Sequence, residues 1–150
     1  MGIIVRLSAN KGPFSVGIRF MTWCDYSHVD FLLRDGTYLG AIPFPGVCVH
    51  GMTYSTEAFY RYECDEETSQ KIIDFANSQI GKHYDYSGIV GFAARRDWQE
   101  EDSWFCSELI ASAFNKSNVK IFDENAFKIS PRDIAVNPLF KQIDKPNYAR

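Results

Sequence analysis

The sequence predicts an α+β fold in which an antiparallel sheet packs against a helix that begins with a cysteine. Two observations carry this. Strand-like segments cluster between residues 27 and 64 and helical periodicities lie mostly after them, a segregated order rather than the alternation that builds a parallel sheet. Ser103 to Ile110 reads as a helix start with Cys106 in the first turn, and Phe105, Leu109, Ile110, Ala113 and Phe114 recur at helical spacing as a buried face. With 150 residues and no linker, internal repeat or low-complexity run, one domain spanning 1–150 is expected.

Taken in order, residues 2–7 have strand character. Pro13 suits the first position of a helix, and Phe14, Ile18 and Met21 follow at helical intervals up to Thr22. His28 to Leu33 reads as a strand, Arg34-Asp35-Gly36 as a hairpin turn and Thr37 to Ile42 as the return strand, which places His28 near the open end. Pro43-Phe44-Pro45-Gly46 interrupts the pattern, and strands are expected over Val47–His50 and Glu57–Cys64. Asp65 caps a helix to about Gln79 whose inner face is Ile72, Ile73, Ala76 and Ile80, closed by Gly81. Asp85 is set to cap a short apolar helix to about Ala94, and Glu100, Glu101 and Asp102 precede the cysteine helix, which should end near Asn115. Ser130-Pro131 starts a last helix that Pro138 ends, and Leu139–Ile143 suits an edge strand.

Composition narrows the function classes. A net charge of −3 with scattered Lys and Arg argues against nucleic acid as a partner, because phosphate contacts need clustered cations. No apolar run approaches the ~18–20 residues of a membrane span, and Met1 to Leu7 is too short for a secretory signal. The four cysteines are therefore expected to stay reduced and the chain to be cytoplasmic.

The chemistry is concentrated at two places. First-turn N–H groups of a helix lack intrahelical partners and the dipole is positive there, so a thiolate at Cys106 is stabilised and can act as a nucleophile. Burial as a small apolar residue is the competing reading, and a partner decides between them. His28 is that candidate partner: a thiol and its base must meet within ~3 Å in space, at any separation in sequence. Asp30, two residues along the same strand, emerges on the same face and can orient the imidazole, although a solvated carboxylate on the hairpin would look the same. Trp23, Trp104 and Phe44 are candidates for cleft walls, against ordinary aromatic burial.

Several pieces together resemble a known family. Tyr26-Ser27-His28-Val29 with the Gly36 turn and Leu39-Gly40-Ala41, then Gly81-Lys82-His83-Tyr84-Asp85-Tyr86, then Trp104-Phe105-Cys106-Ser107-Glu108 and Ser130-Pro131 look like the circularly permuted papain-like amidases, the YiiX/YaeF-like branch of the NlpC-type cysteine peptidase superfamily. In the permuted enzymes the histidine strand precedes the cysteine helix, as here. The resemblance implies a permuted papain-like α+β core, with Cys106 as nucleophile, His28 as base and Tyr84 as a site tyrosine that could donate to an oxyanion. A peptide or acyl-amide substrate fits it, and neither metal nor cofactor is expected. Relatives often carry a polar residue on the strand after the histidine, where this chain has Gly40; either Asp30 takes that role or the third member is missing.

Rival readings use the same residues. Cys24 with His28 and Cys48 with His50 give a possible zinc set at poor spacing. A binding domain without activity, or acyl transfer through the same thioester, would share the fold.

Overall fold

The structure is a computed structural model that describes residues 2–86, 103–123 and 125–150. Five strands run in chain order with one early helix among them: β1 (Gly2–Ala9), α1 (Pro13–Thr22), β2 (His28–Leu32), β3 (Tyr38–Ile42), β4 (Gly46–His50) and β5 (Thr56–Glu63). There follow α2 (Glu66–Ser78), the two-residue strands β6 (His83–Tyr84) and β7 (Ser103–Trp104), α3 (Cys106–Lys116), α4 (Pro131–Val136) and β8 (Phe140–Ile143). The main sheet has the order β4-β3-β2-β1-β5-β8, with every neighbouring pair antiparallel. This is the expected α+β architecture, with β8 at the edge as anticipated.

Strand alternation divides the sheet into two faces. Val5, Leu7, Val29, Phe31, Leu39 and Ala41 join Ile72 and Ala76 of α2 and Leu109, Ile110, Ala113 and Phe114 of α3 in the main core. Ile4, Leu32, Tyr38 and Phe59 form a smaller cluster on the opposite side, closed by Ile143 and Ala149. The Tyr38 hydroxyl donates to the Arg150 carbonyl at 2.8 Å, and the Arg150 N–H donates to Gly36 O at 3.2 Å. Gly36, at φ +83°, supplies the left-handed turn residue, and a Cβ there would meet the Tyr148 carbonyl at 2.0 Å.

Local signals explain most boundaries. Asp65 Oδ1 accepts from the Thr68 N–H at 2.7 Å and starts α2. The helix stops at Ser78, earlier than expected, so Ile80 lies past its end and is 48% exposed instead of joining Ile72 and Ala76 inside. In α1, Ile18 packs inward as expected; the side chains of Phe14 and Met21 lie outside what is described. The helix expected from Asp85 to Ala94 and the acidic run Glu100–Asp102 fall on residues 87–102, outside the described residues. Trp23 and Phe44, for which burial was the competing expectation, are each 85% exposed: Trp23 sits at the left-handed end of α1, and Phe44 in the turn between β3 and β4.

Candidate active site

Cys106 is the first residue of α3, preceded by Phe105 in extended conformation (φ −84°, ψ 150°). The Phe105 carbonyl accepts from the Leu109 N–H, so the N–H groups ahead of Leu109 mark the orphan, positive end of the helix. Phe105 N–H in turn donates to Glu108 Oε2 at 3.4 Å. The rest of the helix is anchored: Leu109, Ile110, Ala113 and Phe114 are fully buried, and Ser107 Oγ donates to the Ile129 carbonyl. The sulfur therefore sits on a rigid element.

The β1–β2 register sets the neighbours of His28 and Asp30. Ser8 faces His28 and Arg6 faces Asp30 across the two strands. His28 Nε2 lies 2.6 Å from Asp30 Oδ1, and the Cys106 side chain is near enough to the ring to help hold its proton. The two residues separated by most of a sheet and a helix thus meet. Gly40 explains how Asp30 fits: a Cβ at position 40 would lie 2.1 Å from Asp30 Oδ1. The missing side chain on β3 is the space that the carboxylate occupies.

Electrostatics follow from this packing. Burial by itself disfavours the His28 imidazolium, but the Asp30 charge and hydrogen bond, helped by Cys106, hold its pKa up at about 10. Burial likewise disfavours ionised Asp30, and His28, the His50 hydrogen bond and the Arg6 charge overcome it, holding the carboxyl well below its ordinary value.

Arg6 and Tyr54 escaped the sequence reading, and His50, named there only as a possible zinc ligand, takes a different place. Arg6 is fully buried in β1 and donates through Nη2 to Asp30 Oδ2 at 2.7 Å. His50 Nε2 approaches Asp30 Oδ1 at 3.2 Å. The Tyr54 ring lies 5.8 Å from the His28 ring, and its phenol is raised by burial first and by nearby Asp30 next. A signal existed for Arg6: one charge inside the otherwise apolar run Ile3 to Leu7 implies a buried partner.

A cleft of about 280 Å³ opens on His28, with Tyr54, Tyr84, Ser15, Ser27 and Pro43 among its described walls. Tyr84, 6% exposed on β6, packs against Phe105 with ring centroids 6.1 Å apart, and its phenol is raised by burial and by Cys106. Neither Trp23 nor Trp104 is among these described walls. Trp104 instead stacks edge-on with Phe75 and donates Nε1–H to Gln79 Oε1 at 3.2 Å. The thiol itself is fully covered.

The ligand atoms of His28, Asp30 and His50 lie within 4.8 Å of one another, a set that could hold a metal ion; Cys24 and Cys48 do not join it. The arrangement does not fit a resident cation. Asp30 Oδ1 is already 2.6 Å from His28 Nε2, a hydrogen bond shorter than the edge of a metal polyhedron with bonds of ~2.0–2.1 Å. Arg6 also already neutralises the carboxylate.

Residues 52–136 match the family described as permuted papain-like amidase enzyme, YaeF/YiiX, C92 family. The chain belongs to this family. The match includes Cys106 and Tyr84 and begins after strands β1 to β4, of which β2 carries both His28 and Asp30. The crystal structure of metalloprotein yiiX from Escherichia coli O157:H7 covers those strands as well: it is similar over 97% of this chain and 97% of its own, with TM-score 0.74 and 18% identity. That likeness is one of fold. A search of curated proteins finds no match.

Proposed function

We propose that this permuted papain-like amidase is a cysteine hydrolase that cleaves an amide bond through a thioester on Cys106, with His28 as general base and acid and Asp30 as its orienting carboxylate. One observation carries the reading: the His28 ring, 2.6 Å from the Asp30 carboxylate through Nε2, lies close enough to Cys106 for the two side chains to interact.

The steps balance on these groups. The Cys106 sulfur, its proton held by the His28 imidazole, forms a bond to the carbonyl carbon, and the oxyanion is met by the N–H groups at the start of α3, with Tyr84 as a further donor. His28 then protonates the departing amine while the C–N bond breaks. Water then attacks the thioester carbonyl as His28 takes its proton, the C–S bond breaks to release the acid, and the proton stays shared by His28 and the freed sulfur. Because Cys106 is covered and is not among the described walls of the cleft, an acyl carbon entering there must displace the His28, Tyr54 or Tyr84 side chain to reach the sulfur. That cover also favours water exclusion, the condition under which an amine or alcohol would take the acyl group in place of water. Added acceptors that divert product from acid to ester or amide would mark the transferase variant.

Intact-mass analysis after incubation with activated acyl or peptide probes tests the reading. Wild type should gain the acyl mass on the peptide containing Cys106, and Cys106→Ala should remain unlabelled and inactive while folded. Turnover retained in folded Cys106→Ala would overturn it.

A further inference from the structure

Arg6 is fully buried, yet the reaction steps do not use it. Its guanidinium is held on several sides. Nη1 donates to the Met52 carbonyl at 2.6 Å and to Glu57 Oε1 at 2.9 Å, Nη2 donates to Asp30 Oδ2 at 2.7 Å, and the Tyr38 and Tyr54 rings flank its Cζ at 3.4 and 4.8 Å. Burying a charge is costly unless it is paired and hydrogen-bonded, so a group this enclosed has a fixed position. Its partner Asp30 is equally enclosed. Oδ2 takes Arg6, Oδ1 takes His28 at 2.6 Å and His50 at 3.2 Å, and the Gly40 backbone closes the remaining side.

We propose that Arg6 is a positioning residue for this centre: anchored by Glu57 and the Met52 carbonyl, its planar fork fixes the rotation of the Asp30 carboxylate so that Oδ1 stays aimed at His28. The inference rests on the roles given above to Cys106 and His28. A lysine can supply the charge but not the fork, which spans Glu57 and Asp30 from two different nitrogens.

Charge and position make opposite predictions. As a bare cation beside Asp30, Arg6 opposes the proton on His28, and losing it would raise the His28 pKa. As a positioner it keeps Asp30 in contact, and losing it would let His28 fall toward the ordinary imidazole value. The groups facing His28 are Asp30 on its own strand, Cys106 from α3, and Tyr54 and Tyr84 across the cleft; behind Asp30 stand His50, Arg6 and Glu57.

The test is an NMR titration of the His28 imidazole in the full chain carrying Cys106→Ala, which needs no turnover. We expect Arg6→Met and Arg6→Lys each to lower the His28 value by about one unit or more. In the Cys106-containing protein each should lower kcat/KM by about 10²-fold, mostly in kcat, with lysine recovering part of the loss. An unchanged or raised His28 value in folded Arg6→Lys overturns the proposal. That variant keeps the charge and so decides the question even if Arg6→Met fails to fold. If Cys106→Ala instead retains turnover, the hydrolase reading fails while the titration still reports whether Arg6 positions Asp30.

Discussion

At the scale of residues, the centre depends on a side chain that is absent. Gly40 leaves room for Asp30, so Gly40→Ala should push the carboxylate off His28, lower kcat/KM steeply and cost about 1–3 kcal/mol of stability, measured by denaturant melts beside steady-state rates. Asp30→Asn keeps the shape but removes the charge; activity should fall about 10²–10⁴-fold. The alkaline limb of its pH–rate profile should move well below the value of about 10 that Asp30 gives His28. A limb that stays in place would show that Asp30 does not control the imidazole. Cys106, His28 and Asp30 were legible because a helix start and a two-residue strand repeat are local rules. The contacts of Arg6 and His50 with Asp30 were not: they reach it from β1 and β4, and only the registers from β1 through β2 and β3 to β4 bring them there.

At the scale of elements, the helix caps read true where the cap is one side chain. Ser130 N–H donates to Asp133 Oδ2 at 2.7 Å and Ser130 Oγ accepts from the Asp133 N–H at 3.4 Å, starting α4 at Pro131. Ser130→Ala should cost about 1 kcal/mol in a chemical melt and leave kcat unchanged, since α4 touches none of the reacting groups. A large loss of kcat would mean that α4 and the Ile129 carbonyl, which holds Ser107, position α3 more directly than the contacts suggest. The parallel pair β6–β7 was unreadable from sequence, because two-residue strands have no period to detect; pairing of His83 with Ser103 and Tyr84 with Trp104 is what places Tyr84 next to Phe105.

At the scale of the whole molecule, the coupled His28–Asp30 pair links folding to pH. His28 is raised above its ordinary 6.5, so its contribution is complete below about that pH and is lost as pH rises through about 10. Asp30 is lowered below 3.8, so its contribution is complete above that value and is lost as pH falls through the folded one. Stability from this pair is therefore greatest between roughly pH 4 and 6.5, and the thermal midpoint should decline from pH 7 to 10 more steeply in wild type than in Asp30→Asn. Equal slopes would contradict the coupling. Divalent-ion removal should leave both stability and turnover unchanged, because Asp30 Oδ1 already takes His28 and His50 as hydrogen-bond partners; a chelator-sensitive rate would reverse that assignment.

The chain order β1 to β5 before α3 has a further consequence for biosynthesis. All the strands bearing Arg6, His28, Asp30 and His50 leave the ribosome before Cys106 is translated, and synthesis at ~5–20 residues per second leaves seconds for those strands to pair first. The strands that surround Asp30 thus have time to find their register before the helix that begins at Cys106 arrives to cover them.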